Sequence, residues 1–266
     1  MKSDICISIV SHGHGDLIKR LGVIERLAKK FKVIVKINEY EPNLTRYLSL
    51  RDIDYIEEDK GLGFGANNNQ VFEFYLKTRG HIKSSFFITL NPDVDIEEEV
   101  VDNLISNMRK NKVKLASLTL YKDRAMTCLD SSVRSFPNLQ HFVTSFLGLS
   151  KSTVVNSSSI SKPTQVDWAA GSFLAFDSEH YASLKGFDEG YFMYCEDIDV
   201  CYRSSLIGHS LTYYPDFKAI HYAARTNRRI FSKHFRWHLK SVLRYLLRKY
   251  CMLNDVNSRL NNDSKF

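Results

Sequence analysis

Three carboxylates, Glu196, Asp197 and Asp199, lie within four positions of one another, directly after aromatic and apolar residues in the stretch GFDEGYFMYCEDIDVCYR. A carboxylate beside so much apolar surface is costly to desolvate unless it is paired, bound to a cation or used in chemistry. Asp199 and Arg203 are four positions apart in a predicted helix, so we expect an ion pair between them. For Glu196 and Asp197 the spacing alone leaves the three uses open.

A second pair of acids, Asp93 and Asp95, follows the predicted strand SFFITL. Two carboxylates at this spacing are suited to holding Mg²⁺ or Mn²⁺ on a nucleotide diphosphate. The alternative is a solvated turn in which one of the acids caps the next helix. His12 and His14 follow the first predicted strand, and we expect them to line the cleft as loop residues rather than to bind a metal.

The glycine-rich stretch GLGFGANNN, residues 61–69, lacks the spacing G-x-G-x-x-G and follows the third predicted strand instead of the first. We therefore reject a dinucleotide-binding fingerprint. Its backbone N–H groups can still approach phosphate or ribose oxygens at the start of a helix. An ordinary glycine-rich turn with asparagine capping is the alternative.

Hydrophobic periodicity predicts the elements that position these residues. Strand patterns cover 5–11, 32–38, 52–57, 85–90, 114–120 and, interrupted by Gly171, 166–176; helical patterns cover 17–30 and a run that ends at 77. Segment 121–163 is polar and irregular, which indicates a long excursion over the active face. Alternating strands and helices predict an α/β fold with a doubly wound, mostly parallel sheet, in which ligands bind beyond the carboxyl ends of the strands.

Composition limits the class of protein. The 266 residues are 44% hydrophobic, which suits one globular unit with an appendage, and the net charge of +7 indicates an anionic partner. Five cysteines without paired spacing predict neither a disulfide framework nor a zinc site and favour a reducing cytoplasm. No uncharged stretch approaches the roughly 20 residues of a membrane span, so we expect any membrane contact to be peripheral.

The order of several motifs resembles family-two glycosyltransferases of the GT-A fold, and most closely the rhamnosyltransferases of bacterial O-antigen assembly. The resemblance covers about residues 4 to 250. The motifs that carry it are Ser11-His12, Gly63-Phe64-Gly65 with Asn69, Asn91-Pro92-Asp93, Trp168 with Gly171-Ser172, and Gly186-Phe187-Asp188 followed by Tyr191-Phe192 and by Glu196-Asp197-x-Asp199.

The resemblance implies roles for individual residues in an inverting, metal-dependent sugar transfer. It makes Asp197 the catalytic base, with Glu196 orienting the base or the acceptor. It places Mg²⁺ or Mn²⁺ on Asp93, with Asp95 and His221 as further ligands; for His221 a structural role is the alternative. The donor-binding residues that it implies are Ser11, His12, Asn38, Gly63, Gly65, Asn69, Asn91, Asp93, Trp168 and Gly171.

The resemblance also implies the substrates. The donor is expected to be dTDP-L-rhamnose, with another sugar nucleotide as the alternative, and the acceptor an N-acetylhexosamine on a polyprenyl diphosphate. One departure concerns the nucleotide base: many relatives end the second strand in Asp-Asn, whereas this chain has Ile37-Asn38. Asn38 is then the only polar candidate of that pair.

The C-terminal part is basic, because no acid occurs between Phe217 and Asn254. We predict a catalytic domain over 1–225 and a basic amphipathic helical segment over 226–266. The predicted basic stripe comprises Arg229, Lys233, Arg236, Lys240, Arg244 and Arg248, and the predicted apolar stripe comprises Phe231, Phe235, Leu239, Val242, Leu246 and Tyr250.

This helix predicts a peripheral contact with an anionic membrane, and the resemblance implies that the membrane is the inner one, at its cytoplasmic face. The alternative is that the apolar stripe packs on the core while the basic stripe is only solvated. A nucleotidyltransferase is disfavoured, because no glycine- and arginine-rich N-terminal loop with a matching lysine is present. Nucleic acid is not expected as a partner, since no recognised binding module accompanies the helix and such a protein would not need the paired acids.

Overall fold

The computed structural model describes residues 4–146, 149, 153–222, 233–251 and 255–262. Its strands are β1 (Ile5–Ser11), β2 (Lys32–Ile37), β3 (Asp54–Ile56), β4 (Phe86–Leu90), β5 (Val94–Asp95), β6 (Leu115–Tyr121), β7 (Val133–Arg134), β8 (Thr164–Val166), β9 (Trp168–Ala169), β10 (Phe173–Asp177) and β11 (Leu211–His221). Its α-helices are α1 (Gly15–Leu21), α2 (Val23–Ala28), α3 (Pro42–Ser49), α4 (Phe64–Arg79), α5 (Glu98–Lys110), α6 (Leu139–Phe146), α7 (Ser178–Ser183), α8 (Glu196–Leu206) and α9 (Lys233–Cys251).

Within the described residues, nine strands form one sheet in the order β3-β2-β1-β4-β10-β6-β11-β5, with β8 also paired to β11. Strands β3, β2, β1 and β4 are parallel to one another, and β6 is parallel to β11. Strand β10 is antiparallel to both β4 and β6, and β5 pairs antiparallel with the end of β11. The predicted α/β fold with a mostly parallel sheet is confirmed.

Alternation of side chains along the strands divides the core into two layers. In β1, Ile5, Ile7 and Ile9 face one layer, which α1, α2, α3 and α5 cover, whereas Cys6 faces the other. Helices α4, α7, α8 and α9 cover that second layer. Each face of the sheet is therefore packed against helices.

Three predicted elements have different bounds in the structure. The helix predicted over 17–30 is divided into α1 and α2 at Gly22, which adopts a positive φ of 64° and ends the first helix. The glycine-rich stretch is not only a loop, because α4 already begins at Phe64. The excursion 121–163 contains β7 and α6, so it is partly ordered on the sheet's second layer.

The predicted C-terminal helix is present as α9, and Val242 and Tyr245 pack in the second core layer. The predicted boundary between residues 225 and 226 lies outside the described residues, as do Arg229 and Phe231, and of Lys233 only the backbone is described. None of the helices in the described ranges is long and apolar enough to cross a membrane.

Candidate active site

Asp197 lies in the first turn of α8, after a sharp backbone turn. The two residues before the helix, Tyr194 and Cys195, have positive φ angles of 72° and 65°. A non-glycine residue held in this region costs about 1 to 3 kcal/mol, and such strain collects at functional sites. The turn points the start of α8 toward the loop between β9 and β10.

Both carboxylate oxygens of Asp197 accept backbone hydrogen bonds. Gly171 N–H donates to Oδ2 at 3.1 Å, and Ile198 N–H donates to Oδ1 at 2.9 Å. Burial raises the pKa of Asp197, while these two N–H groups and the positive charge of Arg134 counteract part of the rise. The residue as a whole is only partly buried, which leaves it open to a ligand. Asp197 is thus a fixed, accessible carboxylate with a raised pKa, which suits a general base.

Glu196 is in a different environment. It is buried, and its Oε2 atom accepts no hydrogen bond within the described part of the chain. Burial, and next the charge of Asp197, raise the pKa of Glu196. Two neighbouring carboxylates, of which Glu196 is buried, disfavour double ionisation. Glu196 is suited to holding a proton beside Asp197 rather than to acting as a second base, and its predicted orienting role stays a prediction.

Asp93 and His221 come together at the other end of the site. Strand β5 pairs with the end of β11, and Tyr222 N–H donates to the Asp93 carbonyl oxygen at 3.0 Å. The Asp93 Oδ1 and His221 Nε2 atoms are 3.5 Å apart, and His221 Nδ1 lies 2.7 Å from Asp130 Oδ2. Burial lowers the pKa of His221, but the hydrogen bonds to Asp130 and Asp93 outweigh it and raise that pKa to about 9.

These residues fit a divalent cation as a partial site. No group of three or more His, Cys, Asp or Glu residues in the described ranges is arranged to hold a metal by itself. Mg²⁺ in nucleotide sites, however, is held by one or two carboxylates together with substrate phosphates and water, at about 2.1 Å. Asp93 Oδ1 and His221 Nε2 are close enough to bind one such ion. Asp130 holds the other ring nitrogen, as outer-shell carboxylates do in metal sites.

Asp95 is placed differently from Asp93. Its carboxylate is paired with Arg26, whose guanidinium also donates to the Ile96 carbonyl oxygen at 3.0 Å and lies 3.3 Å from Glu97. Metal binding by Asp95 would compete with the positive charge of Arg26 for the same carboxylate. The proposed cation site therefore does not include Asp95.

A short path of hydrogen bonds joins the two ends of the site. Asn91 N–H donates to the Ser172 carbonyl oxygen at 2.9 Å, and Ser172 is next to Gly171, which binds Asp197. The pairing of Leu90 in β4 with Phe173 in β10 fixes this junction. Asp93 and Asp197 therefore flank the same carboxyl-terminal edge of β4.

The loops after β1 and β2 form a hydrogen-bonded unit around Glu41. Ser11 Oγ donates to Glu41 Oε1 at 2.7 Å, and the N–H groups of Gly13 and Gly15 donate to the same carboxylate at 3.0 and 2.7 Å. The sequence did not single out Glu41, because a lone acid after a strand carries no distinctive spacing. Its contacts show that it orders the loop in which His12 is exposed.

Asn38 ties the end of β2 to the glycine-rich loop. Its side-chain amide donates to the Leu62 carbonyl oxygen at 2.9 Å and accepts from the Leu62 N–H at 3.0 Å. Asn38 Nδ2 also lies 3.3 Å from His12 Nδ1, and His12 Nε2 lies 2.8 Å from Glu39 Oε1. Asn38 therefore positions the loop beside His12.

The glycine-rich motif serves close packing. A Cβ atom on Gly63 would lie 2.2 Å from the Phe192 carbonyl oxygen, and one on Gly65 would lie 2.7 Å from Phe187 Cβ. Asn69 is buried, and its side-chain amide bonds to Phe187 on both its oxygen and its nitrogen. The proposed donor site therefore does not include Asn69, since no part of its amide is left for a nucleotide.

Trp168 and Arg134 form the wall next to Asp197. Trp168 is 7% exposed, its indole N–H donates to the Ser135 carbonyl oxygen at 3.0 Å, and the Arg134 guanidinium lies 5.6 Å from its ring centroid. Arg134 Nε donates to the Ser131 carbonyl oxygen at 3.0 Å. Asp130 and Arg134 were missed from the sequence because they lie in the polar segment 121–163, where no periodicity marks them.

The known proteins to which the chain is similar include rhamnosyltransferases. The chain is 40% identical to the rhamnosyltransferase WbbL of Escherichia coli over 263 residues, which are 97% of this chain and 98% of that protein. Over 81 residues, 30% of this chain and 26% of the relative, it is 35% identical to the N-acetylglucosaminyl-diphospho-decaprenol L-rhamnosyltransferase of Mycobacterium tuberculosis. No family model matches the chain.

Among solved structures, S. aureus TarS in complex with UDP-GlcNAc superposes with a TM-score of 0.53 at 11% identity. The superposition covers 86% of this chain and 60% of that one. At this identity the likeness shows the fold alone.

Proposed function

The chain belongs to the rhamnosyltransferase family of GT-A glycosyltransferases, and we propose that it transfers L-rhamnose from dTDP-L-rhamnose to a lipid-linked sugar. The transfer inverts the anomeric centre. The acceptor is an N-acetylhexosamine on a polyprenyl diphosphate, in O-antigen or related cell-surface polysaccharide assembly. The relatives named for rhamnosyl transfer, one of them to a decaprenol-linked N-acetylglucosamine, support this choice. The observation that carries the proposal is Asp197, which Gly171 holds at the same sheet edge as Asp93.

Asp197 acts as the base. The acceptor hydroxyl loses its proton to the Asp197 carboxylate as its oxygen attacks the anomeric carbon, and the bond to the nucleotide diphosphate breaks on the opposite face. One displacement inverts the centre without a carboxylate nucleophile. The backbone donors Gly171 and Ile198 hold the carboxylate in place for this step.

Asp93 and His221 are the residues that would hold Mg²⁺ or Mn²⁺ together with the donor diphosphate. When bound, such an ion supplies neutralisation of the charge that develops on the leaving diphosphate. Asp130 orients His221 for this role through its contact with Nδ1.

The donor nucleotide lies along the loops that follow β1 and β2. Of the donor-binding residues implied by the resemblance, His12, Asn91 and Asp93 retain exposed surface, whereas Ser11 and Asn38 are buried and shape the loops. The exposed pair His12 and Glu39 is placed to contact the nucleotide at this edge. Trp168 is mostly covered and contributes a wall of the sugar pocket rather than a large stacking surface.

The enzyme works at the cytoplasmic face of the inner membrane, since a polyprenyl diphosphate cannot leave the bilayer. Peripheral contact suffices for this, because only the sugar end of the acceptor must reach Asp197.

The decisive experiment incubates the protein with a panel of sugar nucleotides, Mg²⁺ or Mn²⁺ and a synthetic N-acetylglucosamine diphosphate lipid. The mass and the anomeric configuration of the product are measured. We expect rhamnosyl product only with dTDP-L-rhamnose. Asp197→Asn should lower kcat by about 10²- to 10⁴-fold while donor binding, measured by calorimetry, is retained. The matched control is Asp216→Asn, which changes an exposed acid on β11. Full activity of Asp197→Asn would remove the base, and product from another donor would correct the sugar.

A further inference from the structure

The structure corrects the predicted basic stripe of α9. Asp188 is fully buried and lies 2.8 Å from the Arg244 guanidinium and 2.6 Å from that of Arg248. Asp199, also fully buried, pairs with Arg248 at 2.5 Å and with Arg203 at 2.6 Å. The last two cations of the predicted stripe are therefore paired with buried carboxylates rather than directed at a membrane.

The outward side of α9 is apolar. Leu239, Leu243, Leu247 and Tyr250 are 50%, 59%, 42% and 58% exposed, and Leu239 and Tyr250 belong to the predicted apolar stripe. At 100° per residue these four side chains fall in one sector of the helix. Arg236 and Lys240 are exposed in the same sector. We call these six residues the leucine face.

The inward side of α9 connects the leucine face to the active site. The inward side of α9 stacks Trp237 on Phe192 with ring centroids 4.5 Å apart, and Ser241 Oγ donates to the Met193 carbonyl oxygen at 2.9 Å. His238 and Tyr194 meet edge to face at 5.3 Å. Residues 192–194 lead directly into the strained turn before Asp197, so whatever the leucine face binds is held close to the base.

We propose that the leucine face binds the surface of an anionic lipid membrane. A helix that lies in the interface places apolar side chains among the acyl chains and cations among the headgroups, and the leucine face presents both. No acid occurs between Phe217 and Asn254 to repel such a surface. The proposed lipid-linked acceptor gives this contact its use, and in that respect the inference rests on the proposed function.

A second copy of the chain is a poorer occupant of this face. Two leucine faces packed together would bring Arg236 and Lys240 from each copy into a desolvated interface without a counter-charge from α9. Anionic headgroups neutralise the same cations. Charge complementarity therefore favours the membrane.

The test is flotation of the full chain with acceptor-free vesicles of phosphatidylcholine, with and without phosphatidylglycerol. We expect the wild type to float with the anionic vesicles and the double variant Leu243→Asp/Leu247→Asp to lose at least about tenfold in partitioning. The matched control is Leu50→Asp/Leu206→Asp, which changes two leucines that are 73% and 64% exposed elsewhere on the surface. It should float like the wild type.

A charge variant tests the electrostatic part. Arg236→Gln/Lys240→Gln should weaken binding to anionic vesicles and leave the weaker binding to neutral vesicles unchanged, because only the headgroup attraction is removed. Equal flotation of wild type and Leu243→Asp/Leu247→Asp would overturn the proposal. So would sedimentation showing a wild-type dimer that this double variant converts to a monomer, since the face would then bind a second copy.

Turnover separates this inference from the proposed function. With a short-chain, water-soluble acceptor, Leu243→Asp/Leu247→Asp should keep wild-type kcat, and with a long-chain acceptor in vesicles it should lose activity in proportion to its lost binding. Flotation without rhamnosyl transfer would refute the proposed function alone. Rhamnosyl transfer without flotation of the wild type would refute the membrane contact alone.

Discussion

Replacing Asp188 by alanine should release α9 from the catalytic domain. Asp188 is fully buried and accepts three bonds from Arg244, one from Arg248 and one from the Gly190 N–H at 2.9 Å. It also accepts from the Asn257 N–H at 3.3 Å, so it joins α9 to the segment that follows the helix.

The expected loss of stability in Asp188→Ala depends on the partners that Arg244 and Arg248 retain. Removing one partner of a buried ion pair costs about 3 to 5 kcal/mol, because the other charge stays buried. Arg248 retains Asp199, and the Arg244 side chain, which is 25% exposed, can reach water. Both circumstances place the expected loss near the lower limit, about 3 kcal/mol. For a urea slope of about 3 kcal/mol/M this lowers the unfolding midpoint by roughly 1 M.

Urea unfolding followed by circular dichroism measures the global effect, and hydrogen exchange of α9 amides measures local release. The matched control is Glu73→Gln, which breaks an exposed pair with Lys77 and should cost less than about 0.5 kcal/mol. A loss below about 1 kcal/mol for Asp188→Ala, with unchanged exchange in α9, would refute the reasoning that this carboxylate holds the helix. Faster exchange in α9 without a midpoint shift would show that the helix unfolds separately from the sheet.

Three further predictions concern the active site. Arg134→Gln should raise the pKa of Asp197, since a cation that favours the carboxylate is lost, and should therefore move the acidic limb of the kcat–pH profile to higher pH. Arg134→Lys should keep the limb in place, and an unmoved limb in Arg134→Gln would contradict this electrostatic influence. Asp93→Asn should raise the Mn²⁺ concentration needed for half-maximal activity by more than about tenfold. Asp95→Asn should leave that concentration unchanged and lower only thermal stability. Equal effects of the two variants on the Mn²⁺ requirement would show that Asp95 also binds the metal. Gly63→Ala should destabilise the protein by about 1 to 3 kcal/mol in thermal unfolding, because the new Cβ would lie 2.2 Å from a backbone oxygen. If the variant were as stable as the wild type, the loop would have to move to accommodate the Cβ.

The sequence predicts the sheet and the ends of its strands well, because alternation and β-branched runs report local burial directly. Strands β1, β2 and β4 begin or end within one residue of their predicted limits. The Asp199–Arg203 pair is confirmed at 2.6 Å, since helical spacing alone brings the two side chains together. Asp93 could be placed at the sheet edge because it follows a predicted strand, whereas the position of Asp197 at that edge depends on the Gly171 N–H bond, which the sequence does not contain.

Other parts of the site depend on contacts between distant residues, which periodicity does not contain. Asp130 meets His221 across 91 positions, and Glu41 orders the loop at Ser11 across 30. Neither acid has a spacing that marks it. Asn69 matches a motif of the resembling family, and its amide bonds to the Phe187 backbone on both its nitrogen and its oxygen. We therefore expect it to support the fold around the site, a contribution that the motif alone does not indicate.

The predicted basic stripe on α9 does not lie on one face of the helix, and the reason is the geometry of the α-helix. A step of four residues turns an α-helix by about 400°, so each step advances a side chain by about 40° around the axis. From Arg236 through Lys240 and Arg244 to Arg248 the advance is therefore about 120°, enough to carry the row from the exposed side to the buried side. A row of basic residues at this spacing is not one face. Its first two members remain outside with the exposed leucines, and its last two enter the protein and bind Asp188. The same drift thus gives a single helix both a buried attachment to the catalytic domain and a cationic, apolar surface directed away from it.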